Sequence, residues 1–270
     1  KRRFPGEPSQ TGDYAPRRDP LLLDLDGNGI QPLGLDANLH FDINGDGLAE
    51  RTGWVAPGDG MLVLDRNGDG ALSKGAELFG DYTPLADGNL APNGFSALAQ
   101  YDGNHDGKID ASDPIWSQLK VWQSDVNPET GAALIADPAL SGRYSTLDEL
   151  GIVAINLAST PTNALADAQG NTTTRSGSFQ YADGRQSLIA EYRLALNGAG
   201  TKDTSRLALS GDVRALPLLA GMGRVRDLGQ AMMRDSALQH LVEAFIAETS
   251  PAAREPLLQQ LVAEWAGAGN

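Results

Sequence analysis

Asp19-Pro20-Leu21-Leu22-Leu23-Asp24-Leu25-Asp26-Gly27-Asn28-Gly29-Ile30 brings two kinds of chemistry together in one short stretch. Asp19-Pro20 is the most fragile type of peptide bond in ordinary protein chemistry. Directly after it, Asp24, Asp26 and Asn28 take positions one, three and five of an EF-hand calcium loop, and Gly29 falls at the sharp turn of position six. The expectation is a module that calcium folds around a peptide bond able to break itself.

Working outward, the same spacing returns three times. Asp42, Asn44, Asp46 and Leu48 form a second loop, and Asp65, Asn67, Asp69 and Ala71 a third, with Leu48 and Ala71 offering main-chain carbonyls at position seven. The third has Ala76 at position twelve and Glu77 just after it, which predicts a loop one residue longer that closes on Glu77. The fourth is the most regular: Asp102, Asn104, Asp106, Lys108 through its carbonyl, Asp110 and Asp113 occupy every ligand position, and apolar Ile109 sits at position eight. Position twelve is Leu35 in the first loop and Gly53 in the second, so a last ligand there must come from Asp36 or a more distant acid. Asp125, Asn127 and Glu129 look like a decayed fifth loop, interrupted by Pro128 and an insertion to Ser141. The competing account of all these clusters is plain turns, which Asp, Asn and Gly favour on steric grounds.

Charge supports the metal reading. The net charge is −14, and residues 24–129 hold 18 acids against 5 basic residues, nearly the whole surplus. Such a region repels itself without counter-ions and is a poor surface for nucleic acid. Several calcium ions are therefore the expected cofactor. Loops that end on Asp, or on nothing, should bind with a Kd of about 10⁻⁵ to 10⁻³ M, which suits extracellular calcium and a chain that folds on binding it. The absence of cysteine removes disulfides and thiolate metal sites.

Hydrophobic residues make up 41% of the chain, enough for a packed core. Residues 1–19 read as a polar, proline-containing flexible arm ending at the scissile Asp, with neither a signal-peptide core nor a membrane span. An export address, if used, would lie outside this chain. Residues 20–197 read as the calcium-binding module, 198–215 as a linker and 216–270 as a helical hairpin. Within the module, helices are predicted from Leu72 to Phe79, from Gly94 to Tyr101, from Ser112 through the stripe Ile115, Trp116, Leu119 and Trp122, and from Thr146 to Leu150. Alternating segments 172–181 and 187–196 flank Asp183-Gly184 as a hairpin. A long helix from Val225 to Glu248, then another after Ser250-Pro251, completes the pattern. The fold class that follows is α+β: an EF-hand-like calcium-loop domain with short helices and a β-hairpin or small sheet, then a C-terminal αα-hairpin.

Several stretches recur in order: Asp19-Pro20-Leu21 with Leu23-Asp24-Leu25-Asp26-Gly27, then Arg51-Thr52-Gly53-Trp54-Val55, Gly75-Ala76-Glu77-Leu78-Phe79-Gly80-Asp81, Val121-Trp122-Gln123 and Thr146-Leu147-Asp148-Glu149-Leu150-Gly151-Ile152. Together they resemble the self-processing module of FrpC-like RTX proteins, large calcium-binding products of bacterial type I secretion. The resemblance implies calcium-triggered cleavage of Asp19–Pro20, transfer of the new aspartyl end to a lysine amine on the same or another protein, and a secreted or cell-surface location within a larger protein. The glycine-rich nonapeptide repeats of RTX proteins do not occur in this chain.

The chemistry can be argued from the residues themselves. The Asp19 carboxylate can attack its own main-chain carbonyl and close a five-membered anhydride, a proximity effect that the fold can strengthen. Proline helps because its tertiary amide nitrogen is more readily protonated as it leaves. Water or a lysine amine then opens the anhydride, a single-turnover form of covalent catalysis. Arg17 and Arg18 should favour the ionised Asp19. His40, Tyr101 and a protonated acid are the candidate proton donors. Asp113-Pro114 and Asp137-Pro138 are expected to be inert. The rival reading is a calcium-stabilised structural or binding module without catalysis. A calmodulin-like sensor is disfavoured by the 4 methionines, and a histidine-based hydrolase by the 3 scattered histidines.

Overall fold

The computed structural model describes residues 19–81, 83–125 and 142–267. The arm 1–18, the decayed fifth loop beyond Asp125 and Asp137-Pro138 lie outside the described residues. The chain divides into two compact units: residues up to 45 with 51–196, and residues 46–50 with 197–270.

The first unit is built on an antiparallel sheet. Eight strands follow one another in the order Lys108–Asp110, Ile152–Asn156, Thr172–Tyr181, Gln186–Arg193, Leu21–Leu23, Gly60–Leu64, Leu119–Gln123 and Arg143–Thr146. A ninth, Thr160–Pro161, pairs with Thr172–Tyr181. The continuous apolar run Leu21-Leu22-Leu23 is explained by its central place. Leu21 and Leu23 enter one hydrophobic cluster with Leu62, Val121 and Ile189, and Leu22 enters another with Met61, Trp122 and Ala190. Successive residues of a strand face opposite sides, so a sheet covered on both faces needs apolar residues at every position of its middle strand. All three leucines are fully buried, each stabilising by about 2 kcal/mol relative to exposure. In the second cluster Trp54 packs between Phe41 and Trp122, with ring centroids 5.0 and 5.6 Å away.

This architecture corrects the expected α+β, EF-hand-like class: the first unit is mostly β. Its one α-helix among the described residues is Gly94–Ala99, with Asn93 accepting the Ser96 N–H as N-cap. The stripe from Ile115 to Trp122 is a single 3-10 turn followed by the strand Leu119–Gln123. Leu119 and Val121 face one cluster and Trp122 the other, a period of two that the helical spacing of four of these residues disguised. The predicted helix 72–79 shrinks to a 3-10 turn at Gly75–Glu77, and 146–150 is a strand end followed by turns. Loop spacing reports a local turn, and says nothing of whether helices or strands flank it.

The second unit contains residues 197–203 of the strand Leu196–Asp203, residues 48–50 of the strand Leu48–Thr52, and helices Gly211–Arg214, Leu228–Met232, Ser236–Ala247 and Pro251–Gly267. The long helix expected from Val225 is broken where the Asp235 side chain accepts the N–H groups of Ala237 and Leu238 and starts a new helix. Leu228, Met232, Leu238, Val242 and Leu261 form its core. Arg226, buried, reaches Asp203 at 2.9 Å and the main-chain carbonyl of Asp46. No helix among the described residues is long and apolar enough to cross a membrane.

Candidate functional site

Asp19 and Pro20 lead into the central strand. Proline has no N–H to give a ladder and is tolerated at a strand's start, and its carbonyl accepts the Tyr192 N–H at 3.0 Å. The register Leu21↔Glu191 places Arg193 opposite Asp19, and the Arg193 Nη2 lies 3.4 Å from Asp19 Oδ2. Asp19 is only 4% exposed. Gly80 lies directly on the Asp19 backbone: a Cβ there would be 3.1 Å from both the nitrogen and the carbonyl oxygen of Asp19. Asp19–Pro20 is thus clamped downstream by the sheet and covered by the Phe79–Gly80 chain.

Glu191, paired with Leu21 on the neighbouring strand, is 3% exposed. Its Oε1 accepts the Gly94 N–H at 2.5 Å and its Oε2 the Thr174 hydroxyl at 2.7 Å. Burial pushes its carboxyl above the ordinary range, the charges of Asp19 and Asp81 add to that, and the two hydrogen bonds oppose it. Of the earlier donor candidates, the Tyr101 hydroxyl accepts from Arg66 at 2.8 Å, and His40 Nδ1 lies 3.2 Å from the Asn38 carbonyl oxygen.

Two acidic groups converge closely enough for each residue to offer one ligand oxygen, all within 4.8 Å of one another: Asp24, Asp26 and Asp59, and Asp65, Asp69 and Glu77. In the first, Asp24 accepts the N–H groups of Gly27 and Gly29, which curls the loop, while Asp26 accepts from Asn28. Asp59, an acid outside the loop whose carboxylate lies close to those of Asp24 and Asp26, is 2% exposed; Oδ2 takes the Gln31 N–H at 2.8 Å and Oδ1 is buried without a partner among the described residues. Burial pushes Asp59 up to about 6, with the Asp26 and Asp24 charges adding to it. In the second group Asp65 accepts from Gly68 and Gly70, and Asp69 from Ala71 and Asn67. Glu77, 2% exposed, turns Oε2 to the Ser73 and Lys74 N–H groups and leaves Oε1 buried and unpartnered among the described residues. A buried carboxylate oxygen without a donor, set among other carboxylates, fits a hard cation with oxygen ligands. These groups can hold a metal ion.

The fourth loop does not converge in this way. Asp102 spends its oxygens on the Asp106 and Gly107 N–H groups, and Asp113 on those of Gly103 and Asp110. Asn104 Oδ1 accepts the Asp106 N–H, and Asp106 Oδ1 accepts that of Lys108. The Lys108 amine sits 2.6 Å from Asp110 and 3.6 Å from Asp106. That amine and Ser112 hold Asp110 down at about 2. Residues of the second loop fall in both units: Asp42 accepts the Gly45 N–H within the first, and Asp46 that of Leu48 within the second.

With the buried Asp19–Pro20 bond and the acidic groups in place, comparison with known families assigns the chain to one class, the self-processing modules. The chain belongs to that family, its residues 21–195 matching the SPM domain. It is also similar to the iron-regulated protein FrpA of Neisseria meningitidis serogroup C, 36% identical over 262 residues covering 96% of this chain. The chain spans 23% of the length of that relative.

Proposed function

We propose that this module binds calcium at the Asp24–Asp26–Asp59 and Asp65–Asp69–Glu77 groups and at the fourth loop, and that the folded chain cleaves its own Asp19–Pro20 bond. The observation that carries the reading is the burial of Asp19 with its peptide held between Tyr192, Arg193 and Gly80. Bound calcium would supply fixed positive charge that lets the acidic loops close. The chain's own residues do the rest. Arg193 favours the ionised carboxylate, the sheet fixes Pro20, and Gly80 leaves the carbonyl little room to swing away, so the carboxylate stays near attack geometry. Closure of the anhydride breaks the bond to Pro20, and water or a lysine amine takes the aspartyl end. Residence in a secreted or cell-surface protein of RTX type belongs to the same proposal.

One gel tests it. The chain purified in chelator stays whole; millimolar calcium releases a fragment of residues 1–19, and Asp19→Ala prevents it. A whole chain whose stability nevertheless rises with calcium would leave the non-catalytic, calcium-stabilised module, which the two converging acidic groups favour on their own.

A further inference from the structure

Cleavage of an amide leaves a negative charge on nitrogen unless a proton arrives as the bond breaks. The bond at Asp19 is buried, so the donor must already be inside. We propose that the Glu191 carboxyl is that donor and protonates the Pro20 nitrogen as it leaves, an assignment that rests on the cleavage reading above.

The argument is one of register. Glu191 is paired with Leu21, so it lies on the same face of the sheet as Leu21 and, two residues before it, Asp19. Glu191 is therefore the diagonal cross-strand neighbour of Asp19, within reach of long side chains, with Pro20 between them. A Cβ on Gly94 would stand 2.6 Å from the Phe79 carbonyl oxygen and 2.9 Å from Leu21 Cγ. The backbone that holds Glu191 Oε1 is thus packed against both Leu21 and the segment covering the scissile peptide. Thr174 holds the other oxygen from the neighbouring strand. The charges of Asp19 and Asp81 bear on it, and Arg193, two residues along its own strand, is turned to Asp19 at 3.4 Å. Arg175, opposite Glu191 on the next strand, is turned to Ser159 at 3.0 Å. Low exposure first, then the two acids, favour a retained proton here, against the two hydrogen bonds that favour the carboxylate.

The step balances. The Asp19 Oδ–C bond forms, the C–N bond to Pro20 breaks, and the electron pair left on nitrogen takes the Glu191 proton. Glu191 is then a carboxylate and recovers a proton from the water or lysine amine that opens the anhydride.

The test follows calcium-triggered cleavage of the full chain across pH 4 to 9 for wild type, Glu191→Gln and Glu191→Asp. Glutamine keeps an oxygen for the Gly94 N–H and loses the acid. Expected is a wild-type rate that falls as Glu191 ionises, a loss of about 100-fold in Glu191→Gln with that alkaline limb gone, and partial recovery in Glu191→Asp with the limb restored. Circular dichroism in calcium should match wild type. Glu191→Gln cleaving at the wild-type rate with the wild-type pH profile overturns the donor and leaves cleavage standing. Wild type staying whole while Asp19→Ala behaves identically overturns cleavage, and the donor with it. If Glu191→Gln fails to fold in calcium, a wild-type rate with no alkaline limb overturns the assignment by itself.

Discussion

The third and fourth loops have nearly the same spacing, yet their carboxylates are used in opposite ways. In the third, Glu77 reaches in from the 3-10 turn at Gly75–Glu77 and keeps one buried oxygen unpartnered among the described residues beside Asp65 and Asp69. In the fourth, the buried Asp102 and Asp113 are satisfied by the loop's own N–H groups, and Lys108 neutralises Asp106 and Asp110 from outside. The more regular sequence is the more self-sufficient turn. Demand for a cation comes from a buried oxygen that lacks a donor, and such an oxygen belongs to a residue that the core has fixed.

The largest expected effect breaks this contrast at its strong end. Glu77→Gln should lose most of the stabilisation that calcium gives the third loop, about 2.7 kcal/mol at a calcium concentration a hundredfold above Kd. In chelator the same variant should be at least as stable as wild type, because a buried charge near Asp65 and Asp69 has gone. Thermal melting with and without calcium checks both. Asp113→Asn losing the calcium response while Glu77→Gln retains it would reverse the comparison.

Next comes pH. The folded Asp59 titrates at about 6 against an ordinary 3.8, so without metal the folded chain holds this proton more tightly than the unfolded one. Its contribution is fully favourable below pH 3.8 and is lost as pH rises through about 6. The melting temperature in chelator should therefore fall over that window, and Asp59→Asn should flatten the fall. Calcium needs the ionised carboxylate, so saturating calcium should remove or invert the slope.

A smaller effect separates two glycines. Gly58 and Gly107 both have positive φ, 101° and 83°, so alanine costs each about 1–2 kcal/mol of backbone strain. A Cβ at Gly107 meets nothing within 4 Å, but at Gly58 it would lie 2.5 Å from Asp26 Oδ2. Calcium titrations should weaken for Gly58→Ala beyond what melting in chelator accounts for, and stay unchanged relative to stability for Gly107→Ala.

Local signals in the chain were legible. Asp183-Gly184, read as a hairpin turn, joins the strands that pair from Gln180↔Gln186 to Thr172↔Arg193. The Asp/Asn/Gly clusters do form tight loops, and Glu77 does join Asp65 and Asp69. What spacing could not supply was the sheet itself, because four apolar residues between Ile115 and Trp122 fit a helix as well as a turn and a strand. Arg193 reaches Asp19 across 174 residues, and Asp59 reaches Asp24 only because Gly60–Leu64 pairs with Leu21–Leu23. Register decides such meetings, and register is a property of the paired sheet. Two clues were present: Glu191 is a lone acid inside Leu188-Ile189-Ala190-Glu191-Tyr192, and Asp59 sits in Pro57-Gly58-Asp59-Gly60 just before an apolar strand.

The smallest effect would sharpen the weak end of the comparison. Lys108 touches Asp110 and Asp106 where a cation would otherwise draw their oxygens inward, and its own side chain is 41% exposed. An exposed ion pair adds little to folding, so Lys108→Met should leave the melting temperature in chelator nearly unchanged. It should nevertheless raise calcium affinity at the fourth loop by a few-fold, since the ion no longer competes with a tethered ammonium for two carboxylates. Calorimetric titration at low salt, where exposed charges are least screened, would show the gain most clearly. Wild-type affinity in Lys108→Met would mean that the amine is a bystander and that the N–H groups held by Asp102 and Asp113 alone set the loop's response.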